Sequence, residues 1–146
     1  MCQIINYQDA PHRSQVVALW QSVFAYKSAH SSPELTIAKK LAVKDDLFFV
    51  ATIDADVVGT VLAGYDGHRG WIYSLAVDPR QQHQGIGRLL VRHAERALTE
   101  IGCMKVNLQV MTANESVVAF YESLGYSVEP RISMGRLLIG SASGHL

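Results

Sequence analysis

A glycine-bearing loop near the middle of the chain carries the clearest signal for chemistry. The segment Leu75–Pro79 reads as a strand that ends in a tight turn, and a helix begins near Gly85. The first turn of a helix presents backbone N–H groups that have no partner within the helix, and such groups aimed at one point bind phosphate. The stretch therefore predicts a docking site for a cofactor that contains a nucleotide.

Two common kinds of phosphate loop do not fit these residues. A P-loop requires Gly-Lys-Ser/Thr, whereas Gly87 is followed by Arg88-Leu89. A dinucleotide-binding loop requires Gly-x-Gly-x-x-Gly, and Leu90 stands where the third glycine belongs. A third pattern, Gln/Arg-x-x-Gly-x-Gly/Ala after a strand, is satisfied by Gln82-His83-Gln84-Gly85-Ile86-Gly87.

The residue types in the loop suit a pyrophosphate. Gly85 and Gly87 lack a Cβ, so the backbone can approach a ligand closely. The helix N-terminus adds a partial positive charge, and Arg88 and Arg92, one turn apart, would add charged contacts. A plain strand-to-helix turn with solvated arginines is the alternative interpretation.

The loop and its flanks resemble the GNAT superfamily of N-acetyltransferases. The flanks are Leu75-Ala76-Val77-Asp78-Pro79 before the loop, and Asn114 with Ala119-Phe120-Tyr121-Glu122-Ser123-Leu124-Gly125-Tyr126 after it. The resemblance covers nearly the whole chain and is closest to the bacterial YpeA-type branch, through Gly64-Tyr65-Asp66-Gly67-His68-Arg69-Gly70. It implies that acetyl-coenzyme A is the co-substrate and that its acetyl group passes directly to a primary amine in a ternary complex.

The same resemblance implies where the coenzyme binds. The strand at Leu75–Val77 and the strand at Asn107–Val110 would splay apart, and the pantetheine arm would pair with main-chain groups in the gap. A backbone N–H near Leu75–Val77 would polarise the thioester carbonyl. We expect coenzyme contacts from Leu75, Ala76, Val77, Gln82, His83, Gln84, Gly85, Ile86, Gly87, Arg88, Asn114 and Tyr121.

One position in the loop departs from the family. His83 stands where relatives often have glycine. Its side chain either points to solvent without a role, which is the simpler interpretation, or touches a phosphate.

Tyr121 is the candidate catalytic residue, because the family places a tyrosine near the coenzyme sulfur. A phenol has a reference pKa near 10 and a thiol one near 8.5, so Tyr121 would donate its proton while the C–S bond breaks, or hold the thiolate by a hydrogen bond. A packed aromatic side chain is the alternative. Asn114 would serve as the N-cap of the same helix, and the resemblance adds a contact with pantetheine.

The general base is not evident. Many relatives have a glutamate where Gln109 stands, and an amide accepts no proton at neutral pH. Water could take the proton instead, and Glu34, Asp45, Asp66 and His68 are side-chain candidates. No His/Cys/Asp/Glu cluster has metal-site spacing, so no metal is expected.

Composition limits the other classes of function. The chain has 146 residues, 49% of them apolar and 18% charged, which suits one globular domain over residues 1–146. The formal net charge is zero, which argues against a nucleic-acid binder. We see no signal peptide and no membrane-spanning run, and Cys2 and Cys103 form no evident pair, so a cytoplasmic location without a membrane partner is expected.

Hydrophobic periodicity predicts an α+β fold (an α/β fold of the GNAT type). Its centre would be a mixed, mostly antiparallel sheet with helices on both faces and one parallel, splayed strand pair. We predict strands at Ile4–Tyr7, Leu47–Ile53, Val57–Tyr65, Trp71–Val77, Lys105–Val110, Tyr126–Val128 and Ile132–Ile139, and helices from Asp9, from Pro33, and over Gly85–Glu100 and Asn114–Ser123.

Further expectations concern side-chain faces, the acceptor and assembly. The apolar side of the second helix would consist of Leu35, Ile37, Ala38, Leu41 and Ala42, and one face of the third would carry Ile86, Leu90, Ala94, Ala97 and Ile101. His12, His93 and His145 are interpreted as surface residues.

The acceptor, a small-molecule amine or a protein or peptide amine, would lie between Phe24–His30 and the strand ending near Tyr65. An exposed strand edge would support a homodimer.

Two other functions fit parts of the pattern. A non-catalytic module that binds acyl-coenzyme A and regulates a partner is compatible with Gln109, although Tyr121 argues against it. A dinucleotide-dependent oxidoreductase would be protected by NAD instead of coenzyme A.

Overall fold

The computed structural model describes residues 1–24 and 32–138. Their strands are β1 Cys2–Asn6, β2 Phe48–Ile53, β3 Asp56–Tyr65, β4 Gly70–Val77 and β5 Val106–Asn107. Their α-helices are α1 Asp9–Val23, α2 Pro33–Val43, α3 Ile86–Glu100 and α4 Glu115–Ser123, with a 3₁₀ turn at Pro79–Gln81. Two compact units divide the chain, Met1–Gln109 and Val110–Leu146, so the prediction of one domain stays a prediction.

The five strands described form one sheet in sequence order, β1-β2-β3-β4-β5. Neighbours from β1 to β4 are antiparallel, and β5 runs parallel to β4 after the crossover through α3. The predicted α+β class, with a mixed sheet and one parallel pair, is therefore confirmed.

Helices cover both faces of the sheet. Thr60 points to α1, where its hydroxyl accepts a hydrogen bond from Trp20. The adjacent Gly59 faces α3, because a Cβ built on it would meet Leu90 and Ile86. Successive residues of a strand point to opposite faces, so α1 and α3 lie on opposite sides of β3.

The core on the α1 side is built around two large aromatic residues. Trp20 is completely buried, and its ring stacks on Phe48 at a centroid distance of 5.9 Å. Phe48 in turn stacks on Tyr7 at 4.1 Å. Burying one large apolar side chain contributes about 1.5–3 kcal/mol, so this stack fixes α1 against β2 and β3.

The second helix buries a different face from the one predicted. Ser32 caps α2 and Pro33 opens it, as expected, but the buried residues are Pro33, Ile37 and Lys40. The expectation for Leu35, Ala38, Leu41 and Ala42 was wrong, because they are exposed. The Lys40 ammonium is buried with its charge paired: Nζ donates to Asp45 at 2.8 Å and to the Ala63 carbonyl. Such pairing is what allows a charged group to replace an apolar one in a core.

Smaller differences concern the third helix and the histidines. In α3 the buried set is Ile86, Leu90, Val91, Ala94 and Leu98, while Ala97 is half-buried and Ile101 is 52% exposed.

His12 is buried, and its Nδ1 accepts a hydrogen bond from the Gln8 N–H at 2.9 Å. His93 is half-buried with its ring against Phe49, and burial lowers the pKa of both imidazoles. His145 lies outside the described residues.

The strands predicted after α4 do not form in the part of the chain that the structure describes. Residues 126–138 contain no strand, and Ile139 lies outside the described residues. The side chains of Val128, Ile132, Met134 and Leu138 are 78–91% exposed. Strand propensity reflects packing in a paired sheet, and these side chains have no such packing. The predicted strand at Lys105–Val110 is likewise shortened to Val106–Asn107.

Close packing of α3 on the sheet depends on a glycine in β3. A Cβ on Gly59 would lie 2.9 Å from Leu90 Cδ1 and 3.0 Å from the Ala76 carbonyl oxygen. We predict that Gly59→Ala lowers the free energy of unfolding by about 1–3 kcal/mol, because a backbone atom blocks the added methyl group. Urea denaturation measures the change.

Gly64→Ala is the matched control on the same strand, because nothing lies within 4 Å of its Cβ position. It should be neutral or slightly stabilising. Equal losses from the two variants would contradict the prediction.

Candidate functional site

The last part of β4 presents an unpaired edge. β5 pairs with β4 only at Gly70↔Val106 and Trp71↔Asn107. Beyond that point no strand among the described residues pairs with the segment 72–77 on the β5 side. A strand edge of this kind offers a row of N–H and C=O groups to another extended molecule.

Hydrogen bonds at the two ends of β4 show which residues face this edge. The Gly70 N–H donates to the Lys105 carbonyl on the β5 side at 2.8 Å. The Asp78 N–H donates to the Val58 carbonyl on the β3 side, also at 2.8 Å. Backbone groups alternate between the two sides of a strand, so those of Val77 and Leu75 point away from β3. These are the two residues expected to supply main-chain contacts.

The two hydrogen bonds also reveal a break in the alternation. Gly70 and Asp78 are an even number of positions apart, so their N–H groups would share a side in a regular strand. The break is a bulge, since the register passes from Leu62↔Tyr73 to Thr60↔Ala76 with one extra residue on β4.

Ser74 lies at this bulge with φ of 50°, in the left-handed region. A non-glycine residue in a sparsely populated backbone conformation costs about 1–3 kcal/mol, and such strain clusters at functional sites. The bulge also changes the side-chain faces: Gly70 faces Leu98 of α3, whereas Ala76 belongs to the core under α1 and α2.

A tight turn redirects the chain after β4. The Asp78 carboxylate accepts the Arg80 N–H at 2.9 Å and forms an ion pair with the Arg80 guanidinium at 2.9 Å. These hydrogen bonds from Arg80 lower the pKa of the Asp78 carboxyl group below its usual value. Asp78 is therefore a turn-forming residue that remains ionised at neutral pH.

The loop that follows ends at the N-terminus of α3. Gly85 is the N-cap, with φ of 81°, and its carbonyl accepts the Leu89 N–H at 3.1 Å. Among the described residues no side chain caps the helix, and its first turn contains no acidic residue. The N–H groups of the first turn, at Ile86, Gly87 and Arg88, have no intrahelical acceptor. This geometry suits an anion, and the residues Gln82–Gly85 and Arg88 beside it are exposed.

His83 occupies a position that favours glycine, with φ of 66°. Glycine adopts the left-handed conformation without a steric penalty, whereas His83 is strained in it. Arg92 does not extend the loop in the way expected. Its guanidinium pairs with Glu95 on the same helix at 2.7 Å, whereas Arg88 lies exposed in the first turn.

Two predicted site residues lie in the second unit. The Tyr121 side chain is 7% exposed and packs edge-on against the rings of Phe120 and Tyr126, at 5.1 and 5.5 Å. Burial raises the pKa of Tyr121 to about 12. Asn114 occupies the N-cap position of α4, but its side chain does not cap the helix; its Oδ1 accepts a hydrogen bond from Ser116 Oγ at 3.4 Å.

Two of the candidate bases have structural roles. The Asp66 carboxylate accepts hydrogen bonds from the N–H groups of Arg69 and His68 and from the indole of Trp71, which lowers its pKa to about 2. Asp45 pairs with Lys40 and accepts the Leu47 N–H at 3.1 Å. Both carboxylates thus stabilise turns, and the lowered pKa of Asp66 makes it a poor proton acceptor. Glu34, His68 and Gln109 are exposed.

Sequence reasoning missed Thr60, Trp20 and Ser74. Thr60 is fully buried in the middle of β3, and it connects Trp20 to the Ser74 carbonyl through two hydrogen bonds. A hydroxyl group inside the otherwise apolar run Val57–Ala63 was the available signal. A buried hydroxyl requires a partner, but the partner could not be identified without the strand register.

A cleft of about 420 Å³ opens between α1 and the turn after β4. Its polar side chains already have partners: Gln15 accepts the Val57 N–H at 2.8 Å, and Asp78 pairs with Arg80. Of the expected acceptor wall, Phe24 follows the last residue of α1, and residues 25–30 are outside the described part of the chain.

Residues 1–24 and 32–138 contain neither a candidate metal site nor a candidate membrane-spanning helix. No group of three or more His, Cys, Asp or Glu side chains is arranged to hold a metal ion there. No helix among them has the length and hydropathy needed to cross a membrane.

Comparison with known proteins identifies the family. The profile of the Acetyltransferase (GNAT) family matches residues 13–126. An acetyltransferase of Pectobacterium atrosepticum is 38% identical over 124 residues, which cover 85% of this chain and 87% of the relative. An acetyltransferase of Yersinia pseudotuberculosis is 36% identical over 125 residues, covering 86% and 88%.

Solved structures share the fold at lower identity. A PaiA N-acetyltransferase from Thermoplasma acidophilum, solved in complex with coenzyme A, has a TM-score of 0.74 at 19% identity and covers 90% of this chain and 93% of its own. Glucosamine-6-phosphate N-acetyltransferase from Arabidopsis thaliana has a TM-score of 0.70 at 19% identity, covering 95% and 99%. The finer resemblance to the YpeA-type branch stays a prediction. With the family profile and the relatives each covering well over half of its length, the chain belongs to the GNAT family of acetyltransferases.

Proposed function

We propose that the protein transfers the acetyl group of acetyl-coenzyme A to a primary amine by direct transfer in a ternary complex. The observation that carries the proposal is the unpaired β4 edge, which leads through one short loop into the uncapped N-terminus of α3. An extended, amide-bearing arm followed by a diphosphate matches these two features in order.

The coenzyme would bind along this path. Its pantetheine amides pair with the main chain of Leu75 and Val77, flanking Ala76, in the manner of an added strand. Its diphosphate receives N–H groups from the loop and the first turn of α3. The residues we propose there are Gln82, His83, Gln84, Gly85, Ile86, Gly87 and Arg88. The coenzyme A complex of the PaiA N-acetyltransferase supports the choice of ligand.

Acetyl transfer then requires stabilisation of the charge that develops first on the carbonyl oxygen and later on the departing sulfur. The amine nitrogen attacks the thioester carbonyl, a C–N bond forms, and negative charge develops on the carbonyl oxygen. A backbone N–H of the β4 edge near Leu75–Val77 stabilises this oxyanion. The C–S bond breaks, the coenzyme leaves as a thiol or thiolate, and the amine proton is lost to water.

Tyr121 would act at the departing sulfur, a role that comes from the family resemblance and to which its buried phenol is suited. With a pKa of about 12 against about 8.5 for a thiol, complete proton transfer to a free thiolate is uphill by about 5 kcal/mol. Tyr121 therefore acts as a hydrogen-bond donor to the developing thiolate instead of a complete proton donor. Asn114 is proposed as a contact to the pantetheine region.

In this mechanism no side chain of the protein deprotonates the acceptor, so the amine must bind in its neutral form. Gln109 cannot serve as a base, and Asp45 and Asp66 are committed to turns. An amine of low pKa, small or on a protein, would then react fastest.

The alternative that is compatible with Gln109 is a regulatory module that binds the coenzyme without turnover. Thiol release from acetyl-coenzyme A over a panel of amines separates the two functions, because the module would release none with any amine.

Binding of the coenzyme at the α3 N-terminus can be tested at Gly85. Any L side chain is strained at its φ of 81°, nothing in the protein lies within 4 Å of the Cβ position, and the residue caps the helix end at which we place the diphosphate. We predict that Gly85→Ala weakens coenzyme A binding at least tenfold, measured by titration calorimetry well below the melting temperature.

Gly102→Ala is the control for that experiment. Gly102 has φ of 96° just after α3, and nothing lies within 4 Å of its Cβ position. It imposes the same kind of strain, about 1 kcal/mol, at the other end of the helix. Equal weakening by both variants would attribute the effect to strain and contradict the binding site.

The role of Tyr121 predicts a specific kinetic defect. Tyr121→Phe should lower kcat more than tenfold and leave the KM for acetyl-coenzyme A nearly unchanged, since the phenol acts on the sulfur only as it departs. No alkaline loss from Tyr121 should occur below its pKa of about 12. Tyr126→Phe removes a hydroxyl from the neighbouring ring and should keep kcat. An unchanged kcat in Tyr121→Phe would remove the assignment.

Without a protein base, the pH dependence should follow the acceptor. For two amines whose pKa values differ by about 2 units, the pH profiles of kcat/KM should be displaced by about the same amount. Gln109→Glu should raise the rate at low pH and shift the profile. A midpoint that is the same for both amines would reveal a base in the protein and contradict this mechanism.

A further inference from the structure

We infer that Trp20, acting through Thr60, fixes the left-handed bulge at Ser74 and thereby selects which β4 amides face the coenzyme. Thr60 and Trp20 are then positioning residues for acetyl transfer. The inference rests on the proposed function and adds to it the side chains that set the reactive edge.

Three groups form a directed chain of hydrogen bonds in the core. The Trp20 indole N–H donates to Thr60 Oγ1 at 2.8 Å. The Thr60 hydroxyl donates to the Ser74 carbonyl at 2.9 Å. Trp20 and Thr60 are both completely buried and Ser74 is half-buried, so the first bond is closed to water and the second lies at the boundary of the core.

The direction of the chain follows from the donor inventory. An indole N–H can only donate, and a hydroxyl group has a single hydrogen. With the Trp20 N–H aimed at the oxygen, the hydroxyl hydrogen of Thr60 turns away from the indole and toward Ser74. Trp20 therefore fixes the orientation of the Thr60 hydroxyl group, which stabilises the bulge.

The Ser74 carbonyl needs this donor because of the bulge itself. The extra residue on β4 removes Ser74 from the regular ladder with β3. A backbone carbonyl left without a donor beside a packed core is strongly unfavourable. The side chain of Thr60 thus replaces a backbone partner and stabilises Ser74 in its left-handed conformation.

Loss of the bulge would change which residues of β4 direct their backbone groups toward the open edge. Continued from Leu62↔Tyr73, a regular register would pair Thr60 with Leu75 instead of Ala76. The N–H and C=O groups of Leu75 and Val77 would then turn toward β3, and those of Ala76 would face the open side. One buried hydroxyl therefore determines whether the proposed pantetheine contacts are available.

Amide hydrogen exchange tests this inference without any ligand. In the wild-type protein the Asp78 N–H should be protected by Val58, whereas the Leu75 and Val77 amides at the open edge exchange quickly. Thr60→Val, which has the same shape without the hydroxyl, should reduce the protection at Asp78 and increase it at Leu75 and Val77. Thr60→Ser, which keeps the hydroxyl, should preserve the wild-type pattern. An unchanged pattern in Thr60→Val would overturn the inference.

Ligand affinity supplies the functional measurement. Thr60→Val should weaken coenzyme A binding at least tenfold, but should leave the affinity for its nucleotide half, adenosine 3′-phosphate 5′-diphosphate, within twofold. The nucleotide half uses the α3 loop and not the β4 edge. Thr60→Ser should bind coenzyme A within threefold of the wild-type protein. Equal weakening of both ligands, or a Thr60→Ser variant as weak as Thr60→Val, would overturn the inference.

Two further variants keep the test decisive. Trp20→Phe removes the indole donor together with part of a fully buried ring. A threefold to tenfold loss of coenzyme A affinity is expected even if Thr60→Val fails to fold, and no loss would contradict the hydrogen-bond chain. Val61→Ala deletes fully buried atoms next to Thr60 in β3 and should retain both affinities at a comparable loss of stability. A wild-type protein that binds coenzyme A and acetylates no amine would contradict the proposed function while leaving this inference intact.

Discussion

One extra residue in β4 determines which backbone groups face the open edge of the sheet. Because of the bulge at Ser74, the N–H of Gly70 points toward β5 and that of Asp78 toward β3. The backbone N–H and C=O groups of Leu75 and Val77 consequently point away from β3, along a stretch of β4 with which β5 no longer pairs. Strand edges are normally a hazard for a soluble protein, since they recruit other strands. In this chain the edge is short and is followed at once by a turn, which suits it to a ligand of limited length.

The second half of the proposed site depends on how α3 meets the sheet. Gly59 allows Leu90 and Ile86 to pack close to β3, and this contact sets where the helix begins. Gly85, in a left-handed conformation, caps α3 without occupying the space in front of its first turn. The electrostatic attraction of that turn for an anion is modest by itself, about 0.3–1 kcal/mol at an exposed site. Tight binding of the whole coenzyme at the proposed site would therefore use the strand edge and the helix terminus together, and Asp78 and Arg80 hold the turn that connects them.

The sequence predicts the elements of this fold better than it predicts their faces. Gly85-Ile86-Gly87 and the strand before it indicate the loop, because glycine and turn residues act locally. The burial of Lys40 in place of Leu41 depends on Asp45 and the Ala63 carbonyl, which only the tertiary structure brings together. The roles of Thr60 and Ser74 depend on a register shift between two strands, which no local pattern records. The apolar residues after α4 predict strands by composition alone, and composition cannot supply a pairing partner.

The central claim is that a thioester-carrying coenzyme adds itself to the β4 edge and places its diphosphate on α3. The most direct measurement is amide hydrogen exchange with and without coenzyme A. The account predicts strong new protection at Leu75 and Val77 and smaller protection at Ile86, Gly87 and Arg88, with little change at Ala76, which already faces β3. Coenzyme binding that leaves Leu75 and Val77 unprotected would contradict it.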